Sequence, residues 1–193
     1  MGGPSNDPEI EALRERQMMN MLATLMLSRG VPTLLDGEEF RCSQDRNNNA
    51  YCQDNVISWY DGSLRSQHQE IYDFISGMVS FRHRQMFLCT EEFYTSDDVI
   101  WFDAAGKIPD WSAPQWQLGC YLHPLDFAPD ELGILCNAED NVLEFKFPGR
   151  SANGWPQVVN TARSGKLDDA VLESSTVYLS PFPVVVLERI SWK

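Results

Sequence analysis

The chain has 193 residues, 43% of them hydrophobic and 11% aromatic, which is enough for a core, and a formal charge of −13. Such acidity repels phosphate backbones and no basic stripe offsets it, so a nucleic-acid partner is not expected. No apolar run approaches the roughly 18 residues a membrane span needs, and the amino terminus lacks the basic-then-apolar order of a secretory signal. Neither a membrane partner nor secretion is therefore expected.

Residues from Asp7 to about Arg84 read as helix, short buried strand, long loop and helix. Asp7 is placed to cap the first helix, with Pro8 at its first position and Glu9 and Glu11 against the positive end of its dipole. Ile10, Leu13, Met21 and Leu25, with Met18, Leu22 and Met26, predict a broad apolar face that is core rather than a binding surface. Ser28-Arg29-Gly30 ends the helix, with Gly30 able to take a left-handed cap. Val31–Leu35 is an apolar run that predicts a strand buried on both faces, as in parallel α/β folds. It ends at Asp36, Glu38 and Glu39, and in such folds chemistry sits at the carboxyl end of a strand. A polar loop of roughly thirty residues follows, a length that is usually functional or disordered. Ser66 and Gln69 then read as a capping box for a helix with the stripe Ile71, Phe74, Ile75, Met78 and Phe81.

The second half alternates with period two. Trp116, Leu118, Cys120 and Leu122 share one face of a strand, as do Leu132, Ile134 and Cys136, then Leu143, Phe145 and Phe147. Residues 137–141 read as a hairpin loop between the last two of these strands. Val177–Leu179 and Val184–Leu187 supply later strands, and six to eight short strands predict an antiparallel sandwich.

Five scattered cysteines, Cys42, Cys52, Cys89, Cys120 and Cys136, fit a reducing, intracellular compartment without a disulfide framework. His68, His83 and His123 are too far apart in sequence for a zinc site, and no metal or cofactor is expected. Nucleotide-binding loops, G-x-S-x-G and H-E-x-x-H are absent from the sequence. The chemistry left is the carboxylate cluster Asp36, Glu38 and Glu39 with the amide-rich loop Arg46–Asn55. Amide side chains both donate and accept, which suits sugar hydroxyls. The same residue types also form turns and bind loop N–H groups. Both readings stay open on the residues alone.

Gly30-Val31-Pro32-Thr33-Leu34-Leu35-Asp36-Gly37-Glu38-Glu39-Phe40 resembles the last barrel strand of the α-amylase superfamily. The string Asn47-Asn48-Asn49-Ala50-Tyr51-Cys52-Gln53-Asp54-Asn55 is similar to the signature of isoamylase-type glycogen and starch debranching enzymes, within glycoside hydrolase family 13. Gly3-Pro4 and the helix around Arg14–Gln17 add to the likeness, which covers roughly residues 2–85. It is weaker beyond, at Trp101, Pro109-Asp110-Trp111 and the closing valine-rich strand. Glu38 departs from the family's usual Asp.

The resemblance implies an α/β plus all-β chain: the last helix-strand-helix of a (β/α)8 barrel over residues 1–85, incomplete, then an antiparallel β-sandwich over 86–193. It implies retaining hydrolysis of α-1,6 branch links in glycogen or amylopectin, by a pair of carboxylates about 5–5.5 Å apart. Both carboxylates would lie upstream of Met1, so no catalytic residue is assigned and the isolated chain is expected to be inactive. Glu39, Asn47, Asn48, Asn49, Tyr51, Gln53, Asp54 and Asn55 are carried over as substrate-binding walls of the cleft. The expected partners are an α-glucan and the missing amino-terminal part of the same enzyme. The compartment expected from the resemblance is cytoplasm or plastid stroma, both left open.

A barrel strand without neighbours leaves backbone and apolar groups unpaired, so residues 1–85 are expected to pack poorly alone. Two other readings stand beside this one. A non-catalytic glucan-binding module on the sandwich would show Trp101, Trp111 or Trp155 as a flat exposed platform. A regulatory subunit would instead partner a complete enzyme.

Overall fold

A computed structural model describes residues 5–123, 130–148, 154–163, 170–174 and 176–189. Helix α1 spans Pro8–Leu27, and the Asp7 side chain accepts from the Glu9 N–H at its start, as the sequence indicates. Gly3 and Pro4 lie outside the described residues. The buried stripe of α1 is Met19, Leu22, Ala23, Met26 and Leu27. Ile10, Leu13 and Met21 are exposed, contrary to expectation. Apolar residues nearly surround the last turns of this helix, so there the partner surface selects the buried face and periodicity cannot.

The short helix α2, Leu64–Gln67, precedes α3, Gln69–Arg84. The expected capping box is not formed, because the Ser66 hydroxyl donates to the Ser63 carbonyl and His68 occupies the cap of α3. The α3 stripe Ile71, Phe74, Ile75, Met78 and Phe81 is buried as expected.

Helices α1 and α3 meet through a buried arginine. The Arg82 guanidinium donates to the carbonyls of Met26 and Ser28 at 2.6 Å, of Leu88 at 2.8 Å, and of Gly30. These include carbonyls that the carboxyl end of a helix leaves without intrahelical partners. Helix α1 is capped at Ser28, and Gly30 takes its positive φ of 103° two residues later. From there Val31–Leu35 has no regular secondary structure and joins no ladder, so the expected strand is not a strand here. Val31 is 93% exposed and Leu35 57%. A strand needs a neighbour for its N–H and C=O groups, and Leu35 N–H reaches only the Glu38 carboxylate at 3.2 Å.

Among the described residues eight strands follow: β1 Val99–Phe102, β2 Gln117–Leu122, β3 Glu131–Asn137, β4 Leu143–Lys146, β5 Pro156–Asn160, β6 Ala170–Val171, β7 Thr176–Leu179 and β8 Val184–Arg189. Six form one sheet in the order β1-β2-β3-β8-β5-β6, and β4 pairs with β7 in a separate ribbon. Every pairing is antiparallel. The expected β3–β4 hairpin is therefore a crossover between sheets. Asn137 holds that crossover, its buried amide donating to the carbonyls of Asn141 and Ser180 at 2.9 and 2.8 Å.

Alternation along the strands builds two cores. Cys120, Leu122, Leu132, Val184 and Val186 face the helices and share one core with Leu22, Met26, Phe74 and Met78. Tyr121, Leu135, Val185 and Leu187 face the ribbon and pack with Phe145, Val177, Leu179 and Trp155. Strand β8 is thus buried on both faces, which explains its unbroken apolar run. Gly119 and Gly133 stand where the rings of Phe102 and Phe147 lie against the sheet; a Cβ there would meet them at 2.3 and 2.5 Å. The helices are well packed because the sheet covers them. Exposed apolar side chains remain at Ile10, Leu13 and Met21 of α1 and in the segment joining α1 to α2.

Candidate functional site

The segment from Asp36 to Tyr60 is built from turns that its own side chains hold. Gly37 has φ 97°, and a Cβ there would meet Cys42 at 2.6 Å and the Tyr60 ring at about 3.1 Å, so glycine alone fits. A 3-10 turn, Glu38–Phe40, follows. The Glu39 carboxylate accepts from Gly37 N–H at 2.9 Å, and Glu38 from Leu35 N–H. Two of the three clustered carboxylates therefore fix the backbone, while Asp36 is exposed. Glu39 is half-buried and, with Asp36, borders an open cavity of about 520 Å3 walled by Leu34, Leu35, Tyr72 and Ile75.

Arg41 has φ 62° and donates to Glu11 at 2.9 Å, tying the turn back to α1. Hydrogen bonds from Arg41 and then Arg14 hold the Glu11 carboxyl below its ordinary value of 4.5. His68 lies close enough to Arg41 to feel its charge, and burial followed by that cation lowers its pKa.

The amide-rich string is similarly knitted. Asn47 Oδ1 accepts from Asn49 N–H at 2.9 Å, and Asn55 Oδ1 from Ile57 N–H at 2.9 Å. Gln53 Oε1 accepts from the Asn55 amide at 3.1 Å, and Asp54 from the Trp59 indole N–H at 2.9 Å. Asn48, Asn49, Asp54 and Asn55 are exposed, Asn47 and Gln53 half-buried, and Tyr51 is 95% exposed. All eight expected site residues thus lie on one segment, some holding its shape and others presenting polar groups to solvent. Trp59 and Tyr60 join them as exposed aromatic rings. Sequence reasoning did not single them out, and the only signal was their position just beyond the amide string.

On the sandwich, Trp155 is buried in the core. Trp101 and Trp111 are exposed, but their rings meet edge to face, with centroids 6.2 Å apart and planes at 80°. They do not form a flat platform. Among the described residues no cluster of His, Cys, Asp and Glu could hold a metal ion, and no helix is long and apolar enough to cross a membrane.

No protein-family model matches the sequence. The chain is 32% identical, over 97% of its length, to a protein named glycogen operon protein GlgX homolog of Mycobacterium tuberculosis (strain ATCC 25618 / H37Rv), of which it spans 29%. It is 28% identical over 82% of its length to the chloroplastic isoamylase 1 of Arabidopsis thaliana, spanning 20% of that protein. It is 32% identical over 78% of its length to the glycogen debranching enzyme of Yersinia pestis bv. Antiqua (strain Angola), spanning 22%. The chain therefore spans less than a third of the curated relatives it matches. Among solved structures, pullulanase type I of Bacillus subtilis str. 168 shares the fold, with a TM-score of 0.75 over 97% of this chain, 25% of that chain and 16% identity.

Proposed function

This chain is homologous to the carboxy-terminal part of isoamylase-type glycogen and starch debranching enzymes, and from that premise we propose that it completes a glycoside hydrolase that opens α-1,6 branch linkages in glycogen or amylopectin. The supporting observation is the match across 97% of this chain to less than a third of a longer relative. The reaction would be retaining, with its carboxylate pair supplied by polypeptide outside these 193 residues. Within the chain, Glu39 and the loop residues Asn47, Asn48, Asn49, Tyr51, Gln53, Asp54 and Asn55 would shape and line the glucan cleft. Glu38 and Glu39 are engaged with backbone N–H groups, which suits support better than proton transfer.

The same reading gives residues 1–85 a role as the closing helix-strand-helix of a barrel, and 86–193 as a sandwich domain. Val31–Leu35 joins no ladder and leaves Val31, Thr33 and Leu35 exposed, which supports reading it as a strand completed by neighbours outside the chain. Its partner would be the amino-terminal part of the same enzyme, in the cytoplasm or plastid stroma. The edge-to-face Trp101–Trp111 pair does not favour a glucan-binding platform as the chain's main role.

The test is release of reducing ends from glycogen and amylopectin, with pullulan as comparison. The purified chain should release none, and adding it to a relative truncated before the matching segment should restore activity. Release by the pure chain alone would make Asp36, Glu38 or Glu39 catalytic and overturn the assignment. Failure to restore activity despite stable association would remove the chain from the enzyme's cleft.

A further inference from the structure

Residues 51–60 carry several large exposed side chains, Tyr51, Val56, Trp59 and Tyr60. Exposed rings need no explanation when they are scattered singly. Trp59 is neither single nor loose. Its indole N–H donates to Asp54 Oδ1 at 2.9 Å, which fixes the ring against the amide string rather than in a core. Its main chain is fixed as well. The N–H groups of Ser58 and Trp59 donate to the Asn55 carbonyl at 2.9 and 3.0 Å. The Ser58 hydroxyl donates to the Ala50 carbonyl at 2.9 Å, and the Tyr60 ring lies over Gly37, 3.1 Å from where a Cβ would stand.

The indole is nevertheless 57% exposed, so apolar burial does not account for its order. A ring held in place and left open lowers the ordering cost of binding whatever lies on it. With the N–H edge occupied, the open surface of the indole is apolar and suits the C–H face of a pyranose. The other oxygen of Asp54 accepts no hydrogen bond among the described residues, and the amides of Gln53 and Asn55 flank it in the chain. Flat apolar surface rimmed by groups that exchange hydrogen bonds with hydroxyls is complementary to a sugar. A nucleobase would also stack, but a formal charge of −13 repels the phosphates it carries.

We propose that Trp59 is the ring on which one glucosyl unit of the α-glucan stacks, with Asp54 acting through it as a positioning residue. The inference rests on the glucan-cleft reading above and adds a contact that the amide string alone does not supply.

Maltohexaose added to the 193-residue chain, followed by NMR of the indole N–H signals, tests it. The signal lost in Trp59→Phe identifies Trp59, and it should shift saturably with a dissociation constant of about 1 mM. Read from the sugar's own signals, Trp59→Ala should weaken binding roughly tenfold, whereas Trp59→Phe keeps a ring and should stay within about threefold. Asp54→Ala frees the ring and should weaken binding several-fold, and Asp54→Asn, which keeps an acceptor for the indole, should restore most of it. A merely structural role would lower the unfolding temperature without this pattern of loss and rescue. Should Trp59→Ala fail to fold, the Asp54 pair decides. Absence of a saturable shift up to about 10 mM would overturn the proposal. So would affinity unchanged in Trp59→Ala, or loss of the shift on adding a relative's amino-terminal part, which would make Trp59 a polypeptide contact. Reducing-end release by the complemented, unsubstituted chain reports on the glucan-cleft reading separately. An active complex whose KM is unmoved by Trp59→Ala would therefore sink this inference alone.

Discussion

The side-chain amide of Gln85 donates to a carboxyl oxygen of Glu188 at 2.5 Å, and both side chains are buried. This bond joins the end of α3 to the central strand β8 and stitches the helical half to the sheet. Gln85→Ala strips the donor from a buried acceptor, which costs on the order of 1–3 kcal/mol. A urea midpoint unchanged by that substitution, with Gln85→Glu equally silent, would show that the pair is not closed in solution.

Arg82 gathers four carbonyls from two separate stretches of chain. Lysine has one ammonium and cannot reproduce a planar fork. Arg82→Lys should therefore destabilise by roughly 2–4 kcal/mol, through acceptors left buried and unmet. Denaturation followed by circular dichroism reads this directly; a loss below that of an ordinary surface substitution would refute it.

The five thiols should separate by environment. Burial pushes Cys120 up to about 12, with Cys136 nearby adding to it, and pushes Cys136 up to about 11. Cys52 and Cys89 are exposed. At pH 8, labelling of the native chain should be rapid at Cys52 and Cys89 and very slow at Cys120 and Cys136 until urea unfolds the sheet. Equal rates measured by mass spectrometry would contradict the packing of this face.

Acid should act on the Glu11–Arg41 tether. A carboxyl whose folded value is depressed contributes above its unfolded value, and the contribution is lost as pH falls through the folded one. The Glu11 midpoint followed by NMR should lie below 4.5 and rise toward it in Arg41→Gln. Because the pair is still partly open to solvent, added salt should blunt the difference.

Proteolysis should fall between the helices rather than within them. Arg46 is exposed at φ 67° in the turn-built segment, whereas the helices share their core with the sheet. Trypsin should nick at Arg46 first and leave both pieces associated on size exclusion. Early cuts inside α1 or α3 would instead show that the helical layer is loose.

What the sequence disclosed follows from how local each signal is. The Asp7 cap, the α3 stripe and the alternation of β2 and β3 depend on neighbours a few residues away, and they are legible. The buried face of α1 depends on which side meets the sheet, and Met21 misleads because apolar residues nearly surround the last turns. The β3–β4 connection looks like a hairpin by length, yet the Asn137 amide bonds redirect the chain to a second layer. Val31–Leu35 has the composition of a buried strand, but a ladder requires partners that composition cannot provide. At the candidate site the amide string was visible as a motif. That Asn47 and Asn55 spend side-chain oxygens on backbone N–H groups was not, since such turns depend on three-dimensional closure.

Strand β8 follows every other described strand in chain order but sits between β3 and β5 in the sheet. During synthesis from the amino terminus, β1–β3 and β5–β6 emerge as two patches with open edges and nothing to join them. Only when Val184–Arg189 leaves the ribosome can the sheet become continuous and the helices find their complete floor. Until then the nascent chain exposes pairing edges to its neighbours, so its yield in cells should be governed by chaperone supply as much as by the stability of the finished fold.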